Sequence, residues 1–387
     1  MTTVSIGALT DVVSTWNPSR RPDEAFIYID LTALDNVSKK ISGATTVVGA
    51  DAPSRARQLV VTGDVLVSTV RPNLNSVAVV PPELDGATVS TGFTVLRPGK
   101  NLEGRYLFHW VRSPSFIEDM IRNATGASYP AVSDRIIKGS IMPTPSLKEQ
   151  CRIAAILDQA DALRAKRRQI LAHLETLTQS IFSDMFGSTA SSTGRVDLRS
   201  LSAVITKGTT PTSLGLQFTR QGVPFVRVQN LQQGTVQFAS GDLFIDADTH
   251  EALRRSVIQP NDLLLSIAGT IGRVSIVPEN APEMNCNQAV AIVRLLDPGI
   301  GAWLMAWLNS SDAKRQIHAS SVTATIPNLS LSQIGQLTVP IVADDTIARF
   351  VRRSDAVHAQ RGAVLAAQVG DNELFASLQY RAFRGEL

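Results

Sequence analysis

Cysteine is nearly absent: Cys151 and Cys286 are the two in 387 residues. That is too few for a disulfide framework or a four-thiolate zinc site, and a reducing, cytoplasmic setting is the expectation. No apolar run approaches the ~20 residues that cross a bilayer, so no membrane partner is expected. Met1-Thr-Thr-Val-Ser5 has no basic stretch followed by an apolar one, which argues against a secretion signal. Neither sign of charge dominates: 37 Lys and Arg face 34 Asp and Glu, a formal net charge of +3. This mildly basic balance permits a nucleic-acid partner without demanding one. Apolar residues at 44% and charged residues at 18% exclude global disorder. The length suits two or three domains with real cores.

Catalytic and cofactor motifs are missing too. There is no Gly-x-x-x-x-Gly-Lys-Ser/Thr loop and no Gly-x-Gly-x-x-Gly after a strand. Gly269-Thr-Ile-Gly272 is too short a glycine pattern for a cofactor loop. The histidines at 109, 173, 250, 318 and 358 are scattered, and none pairs with another at metal spacing. No Gly-x-Ser-x-Gly elbow occurs. A methyltransferase Asp/Asn-Pro-Pro-Tyr/Phe motif and a clustered set of metal-binding carboxylates are also lacking, which disfavours a self-sufficient enzyme.

What the chain does have is one long repeat. Tyr129-Pro130-Ala-Val-Ser133 resembles Ile326-Pro327-Asn-Leu-Ser330, 197 positions on. The same shift carries Arg97 to Arg294, Tyr106 to Trp303, Trp110 to Trp307, Ser113 to Ser310 and Phe186 to Phe383. Further upstream the shift drifts by a residue or two, as small loop insertions would cause. Gly63-Asp64-Val65-Leu66 resembles Asn261-Asp262-Leu263-Leu264, and Phe26-Ile27-Tyr28-Ile29 resembles Phe225-Val226-Arg227-Val228. The chain reads as two copies of one unit, each a globular part followed by a helical part.

In the helical part, Ser146 stands as N-cap with Glu149 three residues on, a capping box. Ile153, Ile156, Ala160, Leu163, Ile170, Leu174, Leu177 and Ile181 then recur at heptad spacing, with Arg167 in the seam. This predicts a helix to about Met185, closed by Gly187. Roughly 38 residues at ~1.5 Å each make ~57 Å of helix. A second helix starts near Asp344 or Asp345, acidic as a helix N-terminus prefers. It sets Ile347, Phe350, Val357, Val364, Leu374 and Leu378 on one stripe, with Gly370 as a candidate kink. Neither helix buries its stripe alone, so antiparallel pairing is expected. Gly187-Ser-Thr-Ala-Ser-Ser-Thr-Gly194 reads as a flexible linker. The globular parts read as mixed α+β: short β-branched runs (45–49, 59–61, 65–70, 76–80, 225–228, 263–267, 274–277, 290–295) and amphipathic helices near 103–123 and 300–319.

Several loops carry ligand chemistry. Thr206-Lys207-Gly208-Thr209-Thr210-Pro211 offers N–H and hydroxyl donors to phosphate oxygens, or closes an ordinary turn. Arg71, Asn73 and Asn75 follow a strand; Thr270, Arg273, Asn287 and Gln288 occupy related regions of the second copy. Arg reads guanine edges, while Asn and Gln read adenine edges, through paired hydrogen bonds; solvated loop polars are the alternative. Gly126-Ala-Ser128-Tyr129-Pro130 and Thr323-Ala-Thr325-Ile326-Pro327 hold matching positions, suited to a turn that meets a ligand or to a domain corner. Arg164-Ala-Lys166-Arg167-Arg168 is a solvated helix face, or a surface for phosphates or a protein.

Taken together the chain resembles the specificity subunit of type I restriction-modification systems. The most specific matches are Pro145-Ser-Leu-Lys-Glu149-Gln150-Cys-Arg-Ile153-Ala-Ala-Ile156-Leu157-Asp158 and Leu374-Phe375-Ala-Ser377-Leu-Gln-Tyr-Arg-Ala-Phe383-Arg-Gly385-Glu386-Leu387. Gly208-Thr-Thr-Pro211 with Pro224-Phe-Val-Arg227-Val-Gln-Asn230 looks like the opening of a target recognition domain, although the first copy has no equivalent near 12–20. The second helix has Asp344-Asp345-Thr346-Ile347 in place of Leu-x-Glu-Gln.

The resemblance implies an α+β chain of two similar mixed α/β target recognition domains, a pseudo-twofold repeat, separated by two long antiparallel coiled-coil helices. Its expected segments are domain 1 (1–145), first spacer helix (146–187), linker (188–194), domain 2 (195–342) and second spacer helix (343–387). It implies a non-catalytic, sequence-specific DNA-binding subunit in phage defence that reads a bipartite double-stranded target. It would dock two DNA methyltransferase subunits and restriction/translocase subunits. Leu147, Gln150, Phe182, Phe186, Phe375 and Phe383 are the docking candidates it suggests, and Arg227 joins the DNA-binding ones. No cofactor is expected in this chain; S-adenosylmethionine, ATP and Mg²⁺ would belong to the partners. Service to a fused methyltransferase-nuclease, or to a modification-only system, is the alternative.

Overall fold

The computed structural model describes residues 2–126, 128–187, 194–232, 234–239, 241–321 and 328–387. All but Gly194 of the expected linker, and the Thr323–Pro327 segment, lie outside them. The chain divides into two compact units, Met1–Gln169 with Ala366–Leu387, and Ile170–Leu365. The long helices, Leu147–Phe186 and Asp344–Arg384, therefore each contribute to both units.

The repeat is visible in the strand pairing. In the first unit one four-stranded sheet has the order Thr45–Val48, Ala25–Ile29, Thr88–Ser90, Ala56–Leu59, with its central pair parallel. In the second, Leu243–Ile245, Val223–Val226, Met284–Cys286 and Val257–Ile258 take the same order with the same central parallel pair. A second sheet is antiparallel in the first unit, ordered Thr10–Asp11, Phe93–Pro98, Val65–Ser68, Val77–Val79. Its counterpart starts Ser202–Lys207, Val290–Leu295, Leu263–Ser266, Val274–Ile276 and continues into the hairpin Thr235–Val236 and Leu231–Gln232. The unbroken apolar runs Val65-Leu66-Val67 and Leu263-Leu264-Leu265 follow from burial on both faces. Val65 and Val67 pack with Tyr106, Leu107 and Trp110, while Leu66 faces Ile29, Val89 and Phe93. Leu263 and Leu265 pack with Trp303 and Trp307, while Leu264 meets Val226 and Cys286.

Each unit also buries one aspartate at the head of that strand. Asp64 takes both arms of Arg97, Nε at 2.9 Å and an Nη at 2.7 Å, and the guanidinium also donates to the Leu59 carbonyl. Asp262 takes both arms of Arg294 at 2.8 Å, and that guanidinium donates to the Val257 carbonyl. A further backbone N–H, from Val61 or Gln259, completes each carboxylate.

The amphipathic stretches near 103–123 and 300–319 each resolve into two helices, Gly104–Trp110 with Pro114–Arg122, and Gly301–Leu308 with Ser311–Ser321. The break is local chemistry. Ser113 Oγ accepts from the Phe116 N–H and Ser310 Oγ from the Ala313 N–H, each a fresh N-cap. The expected capping box at Ser146 is half made. Ser146 Oγ accepts from Glu149 N–H at 3.4 Å, but the Glu149 carboxylate turns to Arg152 instead.

Within each unit the long helices run antiparallel. In the first, Arg167 meets Asp371, Arg164 meets Asn372 and Arg152 reaches the Leu387 carbonyl. In the second, Phe182 meets Phe350 at 5.7 Å between ring centroids, and Glu175 lies 3.9 Å from Arg361. Gly370 does not interrupt its helix. The heptad stripe is corrected in part. Ile153, Leu157 and Ala160 are buried, but Leu163 (53% exposed), Ile170 (45%), Leu177 (39%) and Leu374 (51%) face solvent. Arg164, Arg167 and Asp371 hold the seam there by charge, so apolar contact is not required.

The units dock their helices differently. In the first, Asp158 accepts from Arg105 Nε at 3.0 Å and from buried His109 at 2.8 Å, while Arg112 pairs with Asp161 at 2.8 Å. Burial opposes the Asp158 charge, yet the His109 and Arg105 bonds hold its carboxyl well below the usual range. Burial lowers His109 more than Asp158 raises it, which favours a neutral ring. In the second unit the contact is aromatic: Phe182, Phe186, Phe350 and Trp303. Each such side chain contributes on the order of 1.5–3 kcal/mol by burial.

Removing one arm of the doubled ion pair should be costly, because it strands a buried carboxylate. Arg294→Met is expected to destabilise the second unit by about 3–5 kcal/mol. Adding Asp262→Leu should recover part of this, leaving the Gln259 N–H unpaired. Urea unfolding reads both; a loss below about 1 kcal/mol for Arg294→Met, less than a net hydrogen bond to a charge, would refute the role assigned to the pair.

Candidate functional site

In the first unit the strand Val65–Ser68 ends in a loop built to present side chains. The Ser68 N–H donates to Ser76 O at 2.9 Å and closes its base. The Arg71 N–H donates to Pro130 O at 2.7 Å, and the Val132 N–H to Thr69 O at 2.8 Å, which joins the loop to the 125–131 turn. Arg71, Asn73, Ser128 and Tyr129 are thereby gathered on one exposed surface. The Arg71 guanidinium lies over the Tyr129 ring, 4.6 Å from its centroid, and Tyr129 is 68% exposed. Held over the ring, the arginine keeps a planar N–H fork that suits two acceptors on one edge, as guanine presents. Asn75 differs from the expectation. Its side-chain amide donates to Val111 O at 2.8 Å and its main-chain carbonyl accepts from Lys39, so it braces the loop.

The matching loop of the second unit is framed identically. The Ser266 N–H donates to Arg273 O at 2.9 Å, and the Leu329 N–H to Ile267 O at 2.9 Å. Thr270 and Arg273 are exposed, and Arg273 reaches the Val228 carbonyl at 3.5 Å, beside Arg227. Arg227 itself is half-buried against Asp242 at 3.4 Å. Thr325 lies outside the described residues. A second loop closes against this frame. A side chain at Gly208 would strike Cys286 O at 1.9 Å, so only glycine lets the strand pass that close. The Thr209 N–H donates to Cys286 O at 3.1 Å, and the Thr210 hydroxyl donates to Gln288. Lys207 and Gln288 are left exposed, while Asn287 shapes the turn by accepting from the Ala289 N–H.

Left-handed backbone positions coincide in the two frames. Arg71 (φ 50°) stands where the second unit has Gly269 (φ 70°), and Asn75 (φ 46°) where it has Gly272 (φ 89°). The hairpin Leu34–Asp35/Lys40–Ile41 turns through Lys39 (φ 56°), and the hairpin Leu231–Gln232/Thr235–Val236 through Gly234 (φ 77°). A non-glycine residue there costs about 1–2 kcal/mol. Sequence reading passed over Lys39; the Leu34 to Leu231 match of the repeat was the available signal.

The docking candidates are mostly consumed internally. Gln150 is fully buried: its amide oxygen accepts from Glu103 N–H at 2.9 Å and its NH₂ donates to the Asn101 and Pro145 carbonyls. Phe182 and Phe186 fill the second unit's core, and Phe375 is buried against Arg164 and Arg112. Phe383 packs on Tyr106 and Trp110 at 5.3 and 5.0 Å. Leu147 alone of the six is exposed.

Among the described residues no group of three or more His, Cys, Asp or Glu could hold a metal ion, and no helix is long and apolar enough to cross a membrane.

A family model described as Type I restriction modification DNA specificity domain matches residues 59–176. The chain is similar to the Type I restriction enzyme EcoBI specificity subunit of Escherichia coli, 25% identical over 323 residues, 73% of this chain and 65% of that one. It is also similar to the HindI specificity subunit of Haemophilus influenzae, 27% identical over 139 residues, 35% of this chain and 30% of that one. The chain thus spans less than two thirds of the length of these relatives. A chain solved in work on complex assembly and conformational transition of the type I R-M system aligns at TM-score 0.65 and 24% identity, covering 100% of this chain and 98% of that one. The crystal structure of the type I S subunit from M. genitalium aligns at TM-score 0.57 and 12% identity, covering 99% and 96%. At such identities these structures establish the fold.

If the first loop carries a strained arginine for its side chain, Arg71→Gly should leave stability unchanged or raise it. Gly269→Ala should cost about 1–2 kcal/mol. Thermal unfolding of both variants decides; a clear drop for Arg71→Gly would mean the arginine holds the fold.

Proposed function

We propose that this chain, which belongs to the type I restriction-modification specificity subunits, reads the two halves of a split DNA target, one with each unit. The observation that carries the reading is a shared frame with unlike loops. The same strand order, buried Arg–Asp pair and left-handed positions present Arg71, Asn73, Ser128 and Tyr129 in one unit. In the other they present Thr270, Arg273 and Gln288, with Lys207 beside them. A constant frame with different polar side chains is what two sequence readers built on one scaffold require. Lysine and arginine position each loop on phosphates, and base edges are read by the forked donors.

Bond-making belongs in this reading to partners: methyltransferase subunits, two by the symmetry of the repeat, with S-adenosylmethionine, and a restriction/translocase subunit with ATP and Mg²⁺. Leu147 and the exposed Leu163, Ile170 and Leu177 of the first long helix give them apolar purchase. The long helices set the unread spacer between half-sites.

Exchange of residues 195–335 for another recognition domain should change one half of the methylated sequence and leave the other. Genome-wide adenine methylation mapping of cells co-expressing the methyltransferase reads this; a change in both halves, or in neither, would reject it. Inserting seven residues within 155–180, with a matching insertion in the second helix, adds about 10 Å of helix. The spacer should grow by about three base pairs at ~3.4 Å each. A spacer that stays constant would remove the helices from that role.

A further inference from the structure

The first unit holds a cavity of about 740 Å³ between the Leu34–Ile41 hairpin and the first long helix. Its lining excludes Arg71 and Tyr129, although Lys39 touches Asn75 at the foot of their loop, and it carries an excess of positive charge. Lys39 and Lys40 come from the hairpin, Arg105 from Gly104–Trp110, and Lys166 and Arg168 from the long helix. Three acidic residues share the lining, Glu83, Asp158 and Asp161. Asp158 is already matched by Arg105, and Asp161 by Arg112 and Arg164. The lining therefore holds five cations against three carboxylates, with Asp161 and the hairpin's Asp35 also acting on Lys39 and Asp35 on Arg168. Val79, Val80 and Phe108 provide apolar wall.

Lys39 shows that this charge is held against the backbone's preference. It occupies the left-handed position that the second unit fills with Gly234. Its ammonium donates to the Asn75 main-chain carbonyl, which leaves two donors; Asp161 and Asp35 favour its charge without a direct ion pair among the described residues. Burial, with Arg112 nearby, lowers its pKa to about 8. A cation that is desolvated and set by a strained turn calls for an anion with several oxygens.

We propose that this cavity binds phosphate groups, with Lys39, Lys40, Lys166 and Arg168 as their ligands. Phosphate offers three or four acceptor oxygens, which suits ammonium donors from two sides and the Arg168 fork. The source is either a backbone phosphate of duplex DNA or a small polyphosphate such as a nucleotide tail, and the two behave differently on titration.

The test uses the full chain with Lys39→Gly, the double variant Lys166→Gln/Arg168→Gln, and Lys100→Gln as an exposed lysine outside the cavity. Lys39→Gly relieves the turn but also removes the bond to the Asn75 carbonyl, so the double variant Lys166→Gln/Arg168→Gln, which leaves the Arg71 loop intact, is the deciding one and its unfolding should match the parent. Inorganic tripolyphosphate is titrated calorimetrically, and labelled duplexes of several sequences are bound across a salt series. For a small polyphosphate, tripolyphosphate should bind at least ten-fold more weakly to the cavity variants and equally to Lys100→Gln. For a backbone phosphate, the cavity variants should weaken every duplex alike and reduce the salt slope by about 1–2, at ~0.9 per phosphate contact. Arg71→Gly, by contrast, should alter discrimination among sequences, so failure of the DNA-reading function is distinguishable from failure of this site. Folded variants that change neither titration, or an equal effect of Lys100→Gln, would overturn the proposal.

Discussion

A buried carboxylate that must keep its arginine governs the layout of both bodies. Asp64 lies directly before the strand that launches the Arg71 loop, and Arg97 lies in the strand that leads to the Gly104–Trp110 helix. Asp262 and Arg294 stand in the same two places. An unpaired aspartate at such burial would cost several kcal/mol, so each strand is locked to one register against its neighbour. A one-residue slip would send Val65 and Val67, or Leu263 and Leu265, to the wrong face. The loop at the far end of the strand is aimed by the pair at its base. Position, not side-chain chemistry, is what the frame conserves between copies.

With the frame fixed, the two units solve helix docking in different currencies of interaction. Asp158 and Asp161 meet Arg105, Arg112 and His109 in the first unit. Along the repeat, Arg105, His109 and Arg112 correspond to Ala302, Ala306 and Asn309, so no equivalent network is available to Asp355 and His358, the counterparts of Asp158 and Asp161. Phe350 and Trp303 take over, with Phe186 edge-on to both at 5.7 and 6.3 Å between ring centroids. Phe383 on Tyr106 repeats the Phe186–Trp303 contact of the other unit. Ion pairs tolerate exposed apolar neighbours, which is why Leu163 can face water beside Arg164.

Much of this was legible before any coordinates. The repeat of 197 residues showed in Arg97 and Ser113, because those positions are pinned by an ion pair and an N-cap that both copies need. The long helices were legible from periodicity; the close backbone approach at Gly208 was not. Facing was less so. A heptad pattern specifies a stripe but not what covers it: Arg167, placed in the seam by its spacing, meets Asp371, while Leu163, Ile170, Leu177 and Leu374 face solvent. Gln150 and the phenylalanines read as docking surface because their motifs are distinctive; they are distinctive because each caps or fills its own unit. Asn75 looked like a base reader and is a brace, a distinction that depends on Val111, far away in sequence.

The left-handed positions separate fold from function within one molecule. Gly234, Gly269 and Gly272 show that the frame needs only a backbone that turns with positive φ. Lys39, Arg71 and Asn75 occupy those turns in the first unit at a conformational cost the glycines avoid. Asn75 returns that cost through its bonds to Val111 and Lys39, which are structural. Arg71 ends on an exposed tyrosine, and Lys39 spends one of its three donors on the Asn75 carbonyl and holds the others in a cationic cavity. The energy that a glycine would save is retained there as side-chain chemistry facing outward. A repeat protein thus carries its own control: wherever one copy uses glycine and the other a cation, the excess is attributable to what the cation touches outside the chain.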